Sequence, residues 1–414
     1  MNEIYKLDNQ IKHYEWGSPQ FLPQFLNIEN AVGLPFAEMW MGTHSGAPSK
    51  VVTGNKNEPE FLKDISGELP FLLKMIAVDK PLSIQAHPDK KQAEEGFKKE
   101  ELSGLDINAP TRNYKDFNHK PEIVCAVTPF SLMAGFREPE NICLLFEEFI
   151  SVGFNFSDRS SKTKTLIIKE IISPLIHTIK SGTLADFFRL LFDISKDNQE
   201  QLCLFINNYN EAGADGLITN EQWKLMKKFA LLYPADPAIL SPLYLNCLTL
   251  QSGQAIYVPA GILHAYTSGF AAELMTSSDN VLRGGLTPKH IDINELMNIL
   301  SFTPYLPKVI TPPAGTDWFC YQTPCDEFLL AHMSANDKTI FKGNYPAICI
   351  VTEGELKIKG NSFKKGESFF IQDNDGSLVF DGDFSLFAAC SCSIVSGEHG
   401  EAASEHGEAA SSGV

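Results

Sequence analysis

Four stretches of the chain gather side chains able to hold a metal ion or move a proton. The first is Pro81-Leu82-Ser83-Ile84-Gln85-Ala86-His87-Pro88, which follows an apolar run from Leu69 to Val78 and reads as a strand ending at Pro88. Residues two apart share a strand face, so Ser83, Gln85 and His87 point one way and Leu82, Ile84 and Ala86 the other, toward a core. Pro88 lacks a backbone donor and takes the chain out of the ladder. An amide oxygen beside an imidazole makes half of a metal site; the plainer reading is a surface histidine at a strand end. The second stretch, Asn118-His119-Lys120-Pro121-Glu122, leads into the apolar strand Ile123 to Val127. A carboxylate entering a buried strand needs a partner, here Lys120 or a metal.

The third stretch runs from Gln254 to Tyr266 and reads as a strand, a Pro259-Ala260-Gly261 turn and a second strand beginning near His264. The fourth carries Glu273, Asp279, Asn280, Arg283, Lys289 and His290 around Gly284-Gly285-Leu286-Thr287-Pro288. Arg283 beside two glycines suggests a loop that comes close to a ligand. Together Gln85, His87, Glu122 and His264 offer two imidazoles, one amide and one carboxylate. That set leaves a divalent ion with net positive charge, which suits a Lewis acid with an exchangeable ligand. The absence of thiolates disfavours a purely structural zinc site, although the spacing matches no general zinc motif.

The elements that must position these groups alternate in character. Residues 1–137 are rich in short strands and turns, with an aromatic cluster at His13-Tyr14-Glu15-Trp16-Gly17 and a mixed strand from Phe36 to His44. Lys90 to Ser103 reads as a charged, solvated helix. Residues 138–234 read as helical: Leu184, Phe187, Phe188, Leu191 and Ile194 fall at helical spacing behind a Thr183/Asp186 cap, and His177 is taken as structural. Strand patterning resumes at 235–312. Residues 313–395 form a final all-β segment, with strands expected at Ala347 to Val351, Glu355 to Lys359, Glu367 to Gln372 and Leu378 to Phe380. Residues 396–414 are a low-complexity tail in which Glu398 to Ser404 repeats at Glu405 to Ser411, a solvated extension whose His399 and His406 bind metal weakly at most.

The 414 residues suffice for two or three cores, and the net charge of −17 argues against nucleic acid and against an anionic membrane surface. No apolar run is long enough to span a bilayer, and Met1-Asn2-Glu3 opens no secretory signal. Nine scattered cysteines without a CxxC pair read as free thiols in a reducing cytoplasm.

Gln85-Ala86-His87-Pro88-Asp89, His119-Lys120-Pro121-Glu122, Val258-Pro259-Ala260-Gly261 with His264, and Ser278 to Lys289 resemble the characteristic stretches of the type I mannose-6-phosphate isomerases. Tyr14-Glu15-Trp16-Gly17 and the Glu38 to His44 segment match as well, so the resemblance runs from about residue 3 to about 390. It implies a mainly β protein: a cupin-type jelly roll carrying the catalytic site, interrupted by an α-helical domain and followed by a second jelly roll. It implies one zinc ion on Gln85, His87, Glu122 and His264, and a catalytic arginine at Arg283. Ser83, Lys120, Glu273, Asp279 and Lys289 match positions lining the family's pocket, with Ser83 and Lys289 as phosphate contacts. His119 is a further candidate for the proton-transferring base, which stays unassigned. The expected reaction interconverts D-mannose 6-phosphate and D-fructose 6-phosphate through an enediol(ate), linking glycolysis to mannose and GDP-mannose metabolism.

The expected partner is thus a sugar phosphate, with no nucleic acid and no membrane. Monomer and homo-oligomer both stay open. Two rivals are an iron-dependent cupin oxygenase, since two histidines and a carboxylate also suit iron, and a sugar-phosphate-binding regulator without catalysis. The 313–395 segment has His332 as its only histidine, so it is expected to hold no metal.

Overall fold

A computed structural model describes residues 4–52, 60–154, 159–209, 216–342, 346–372 and 378–391. The fold turns on one long strand, His264–Thr276, which belongs to two sheets at once. Its second half pairs on one side with Phe71–Val78 and on the other with Glu122–Ala126. Its first half pairs with Phe130–Phe136 and, at His264, with Gln85. The handover falls at a register shift between Tyr266 and Ser268, followed by Gly269 at φ 116°. A Cβ on Gly269 would stand 2.5 Å from the Pro129 carbonyl oxygen, so the crossing needs both the conformation and the missing side chain. The sheet is completed by Leu245–Leu250 beyond Phe130–Phe136, by Glu38–Met41 and Gln10–Lys12 beyond Phe71–Val78, and by Ala255–Val258 and Leu282–Arg283.

Strand parity divides these residues between two environments. Leu73, Met75, Ile123, Cys125, Phe270, Ala272 and Leu274 pack in one apolar cluster with Leu330, Ile348, Ile350, Phe370 and Phe387 of the C-terminal sheet. The alternate residues, Lys74, Ile76, Glu122, Glu273 and Met275, line a cavity on the opposite face. Every residue of Phe71–Val78 is therefore buried, which is why the stretch reads as a near-continuous apolar run rather than an alternating one.

The C-terminal sheet takes in strands from the start of the chain. Ile4–Asp8 pairs with Ser368–Ile371 and with Lys50–Val51, which pairs in turn with Glu60–Phe61. Lys6 bonds Glu367 and Asn9 bonds Ser368 across this seam. The expectation that residues 1–137 build only the first β unit does not describe this seam. Ala347–Ile358 is a single strand with a register shift between Val351 and Glu353, not two strands divided at Gly354. Gly354 sits at φ 69° with its missing Cβ 1.9 Å from the Asp383 carbonyl oxygen, so it permits a bend rather than ending the strand.

Between the β units, helices Pro139–Phe154, Arg159–Ser181, Leu184–Phe192, Lys196–Asn208 and Asn220–Leu232 pack their apolar faces against one another and against Ala86 of the sheet and Leu263 and Leu286 beside it. Thr183 and Asp186 cap Leu184–Phe192 reciprocally. Among the described residues all eight cysteines are free, and no helix is long and apolar enough to cross a membrane. The repeated tail lies outside the described residues. Gly269→Ala should lower folding stability by about 2–3 kcal/mol, from the strained φ and the collision with Pro129. Chemical denaturation of both proteins reads that loss, and an unchanged midpoint would mean that the crossing does not depend on the glycine.

Candidate active site

Gln85 and Ala86 form a short strand, separate from Phe71–Val78 because Pro81 and its neighbours leave the ladder. The single strand expected through Pro88 is thus a strand, a loop and a two-residue strand. The parity expected near its end does hold: Ile84 and Ala86 go to the core. His264 lies directly across from Gln85. Glu122 opens the strand beside Met275, on the same side of the long strand as Glu273.

His87 donates from Nδ1 to the Asn280 carbonyl at 2.6 Å, and His264 donates from Nδ1 to the Ile262 carbonyl at 2.9 Å. These bonds fix both tautomers and leave each Nε2 as a lone pair pointing inward. His87 Nε2 lies 3.3 Å from Glu122 Oε1, His264 Nε2 lies 3.2 Å from Glu122 Oε2, and the Gln85 amide lies 3.3 Å from His264 Nε2. His87 Nε2 and Glu122 Oε2 are buried without a hydrogen-bond partner. Acceptors thus face acceptors in a site from which water is excluded. That arrangement costs about 1–3 kcal/mol per unsatisfied group and is relieved by a cation at the centre.

The spacing suits such an ion. A tetrahedral centre about 2.0–2.1 Å from each ligand has edges of roughly 3.3–3.4 Å. His87, Glu122 and His264 are the cluster of potential ligands among the described residues, and the Gln85 amide, turned oxygen-inward, supplies a fourth donor. Burial, with help from the Lys120 charge, pushes the His87 imidazole down to about 4, so it is neutral and able to ligate at neutral pH. Burial pushes the Glu122 carboxyl up. Lys120 at 2.9 Å outweighs it and holds the group ionised.

Gln85 and Glu122 line a cavity of about 1320 Å³. On its wall Lys74 lies between Glu273 at 3.2 Å and Glu38 at 3.7 Å, all buried, with Trp40 Nε1 donating to Glu38 at 2.7 Å. Burial raises the Glu273 carboxyl above its ordinary range against the pull of Lys74. For Lys74, burial favours the neutral amine but Glu38 and Glu273 outweigh it, so its ammonium is held more firmly than usual.

Arg283 pairs in register with Gln85, which sets it beside the ligand cluster. Burial weakens its charge, and burial together with Arg283 lowers Lys289, so the two cations sit close enough to repel. Among the described residues neither forms an ion pair with a carboxylate. Ser83 lines the same cavity.

Most of the residues singled out in the sequence thus meet in one cavity: Ser83, Gln85, Lys120, Glu122, Glu273, Asp279, Arg283 and Lys289 line it. Asp279 lies at its half-exposed rim, 3.4 Å from His44 Nε2. His119 stands apart: its Nε2 pairs with Glu327 Oε1 at 2.6 Å on the C-terminal unit, and it is not among the residues that line the cavity. Sequence reasoning passed over Lys74, whose signal was a lone charge inside an apolar strand, and gave Glu38 no role of its own within the mixed strand. It also left Asn280 without a role. Its buried side chain bonds the backbone of Lys115, Asp116 and Asn118 while its carbonyl orients His87.

Residues 4–139 match the family model for the catalytic domain of type I phosphomannose isomerase. Mannose-6-phosphate isomerase of Salmonella typhimurium is 33% identical over 391 residues, 89% of this chain and 94% of that protein. The human mannose-6-phosphate isomerase is 31% identical over 73% of this chain and 74% of its own length. A zinc-bound crystal structure of mannose 6-phosphate isomerase superposes with a TM-score of 0.79 at 31% identity, covering 94% of this chain and 99% of that one. A Salmonella typhimurium structure with fructose 6-phosphate and zinc gives a TM-score of 0.79 at 30% identity, over the same shares.

If the lone-pair cluster holds a divalent ion, a chelator should lower the melting temperature of the wild type and leave His87→Ala unmoved, because the ion binds the folded state alone. Equal chelator shifts in both proteins, by scanning fluorimetry, would rule the cluster out. The pH dependence of the metal-free protein has a fixed sign. His87 and Glu122 are both depressed in the folded state, so their contribution is complete above the unfolded values and is lost as pH falls. For His87 that window runs from about 6.5 down to about 4, and denaturation of the chelated protein across it should show falling stability.

Proposed function

The chain belongs to the type I phosphomannose isomerase family and is an isomerase of mannose 6-phosphate, and we propose that it forms fructose 6-phosphate through an enediol(ate) in the cavity described above. The observation that carries this reading is the buried set of inward lone pairs on His87, Glu122 and His264 beside the unpaired cations Arg283 and Lys289. One zinc ion per chain, held by these three residues and Gln85, would supply a Lewis acid next to the sugar oxygens.

The chain's own groups then divide the work. Glu273 is the best-placed proton carrier: it lines the cavity, its carboxyl is raised by burial, and Lys74 holds it in place. It takes the proton from C2 of the open-chain aldose and returns it to C1, while the hydroxyl proton moves from O2 to O1. Lys120 keeps Glu122 ionised and oriented. Arg283, next to Gln85, follows the charge that develops on the enediolate oxygens. Lys289 and Ser83 meet the phosphate, whose charge is unchanged through the reaction. Asp279 at the rim orients sugar hydroxyls.

The long strand shared by two sheets supports a cupin-type jelly roll for the catalytic unit, assembled from residues 1–137 and 235–312 around a helical domain at 138–234. A second jelly roll follows at 313–395, with the first strand of the chain added to it. The lone histidine there, His332, bonds Ser385 at 2.8 Å, in keeping with a unit that needs no metal. A cytoplasmic enzyme joining glycolysis to mannose metabolism fits the free cysteines and the acidic chain.

A coupled assay on mannose 6-phosphate, with and without chelator, tests the reading: turnover that survives complete zinc removal, or oxygen uptake in place of isomerisation, overturns it. Two variants test the division of roles. Arg283→Ala should lower kcat about a hundredfold with zinc retained, as expected for a group that acts on transition-state charge. Lys289→Ala should chiefly raise KM, since it binds ground state and transition state alike. Steady-state kinetics giving the opposite pattern would reverse their assignments.

A further inference from the structure

The loop that carries both unpaired cations makes its turn in an unfavourable conformation. Leu282–Arg283 pairs with Gln85–Ala86, and Gly284 N–H to Ile84 O at 2.7 Å and Ile84 N–H to Gly285 O at 3.0 Å prolong the ladder. Leu286 then adopts φ 54°, a left-handed conformation that a branched aliphatic residue rarely takes. Only after this reversal does the chain bring Lys289 back beside Arg283, with Lys289 N–H bonded to Thr287 Oγ1 at 3.1 Å.

What holds the turn comes from another part of the molecule. Asp236, just past the last helix of the helical segment, accepts from Leu286 N–H at 2.7 Å through Oδ2 and from Ala238 N–H at 2.8 Å through Oδ1. Burial raises the Asp236 carboxyl above its ordinary range, against the Ala238, Leu286 and Thr287 backbone N–H groups, which favour its ionised form. Asp236 follows Ala235, itself left-handed at φ 62°. Packing closes the same contact: a Cβ on Gly285 would stand 2.2 Å from Ala238 Cβ. Two strained backbone segments are thus joined through one carboxylate that has no cation partner among the described residues.

We propose that Asp236 is a positioning residue for substrate phosphate: it fixes the Gly285-Leu286 turn, and through it the placement of Lys289 beside Arg283. The proposal rests on the isomerase reading above. It gives the junction between the helical segment and the catalytic unit a part in substrate affinity, because the carboxylate that orders the cation loop stands there, just past the last helix.

The test is steady-state kinetics of Asp236→Asn on mannose 6-phosphate, with inorganic phosphate as the competing anion and zinc content measured in parallel. Asn keeps the size but replaces one acceptor oxygen by a donor that opposes the Leu286 or Ala238 N–H. KM and the inhibition constant for phosphate should both rise about tenfold, with kcat within about threefold and zinc unchanged. Gly285→Ala leaves the carboxylate in place and pushes the turn off Ala238, so it should give the same split; it carries the test if Asp236→Asn is not recovered folded. KM and phosphate inhibition within about twofold of wild type in the folded variant or variants, or a fall in kcat alone, overturns the role of Asp236. A wild type that does not isomerise mannose 6-phosphate overturns the reading beneath it instead.

Discussion

A carboxylate with 1% of its surface exposed governs this cavity. Burying the Glu122 charge is tolerable only where opposite charge and well-aimed donors replace water. Lys120 supplies one positive charge at 2.9 Å, yet Oε2 still has no hydrogen-bond partner. The imidazoles do not meet that need, since each spends its N–H on a backbone carbonyl and turns its bare nitrogen toward the carboxylate. A divalent cation satisfies all of these acceptors together. The outer bonds are thus as much a part of the site as the ligands, because reversing either tautomer would present a proton where a lone pair is required.

The same demand constrains the sheet. Glu122, Lys74 and Glu273 can share a cavity only if their three strands keep their register, since a one-residue slip of any of them would send its own charged side chain into the apolar layer against the C-terminal sheet. That layer, with Leu73, Met75, Ile123 and Leu274 facing Ile348, Ile350 and Phe370, makes such a slip costly. The C-terminal unit, far from the ligands in sequence, therefore helps to hold the parity of the charged face. The His119–Glu327 contact also ties the segment that leads into the Glu122 strand to the second unit.

Much of this was legible in the sequence, for physical reasons that also explain the rest. Gln85 and His87 were readable because a two-residue spacing on a strand end defines a common face. The helical segment was readable because Leu184 to Leu191 keep a 3.6 period behind a cap. His119 misled because three ionisable groups in four residues look like one cluster until the fold pairs His119 with Glu327 and Lys120 with Glu122. Lys74 went unnoticed because a strand buried on both faces loses its alternation, and one charge among seven apolar residues resembles noise. The pairing of Ile4–Asp8 with Ser368–Ile371 joins the two ends of the described chain, a contact that no local pattern encodes. The Asp236 contact was hidden similarly, since nothing near Pro234-Ala235-Asp236 announces a partner fifty residues on.

The cations of the cavity explain how an acidic chain can accept an anionic substrate. Lys74 and Lys120 are each engaged by carboxylates, so their fields are largely neutralised where they stand and serve to fix Glu38, Glu273 and Glu122. Arg283 and Lys289 are engaged by none, and each is made less comfortable by burial, while Lys289 is also repelled by its neighbour. Their fields are therefore left open to the cavity. An overall charge of −17 does not oppose this strongly, because exposed charges farther than about 8 Å are screened at physiological salt. A sugar phosphate that entered the cavity would meet positive charge there without first having to displace a carboxylate from it.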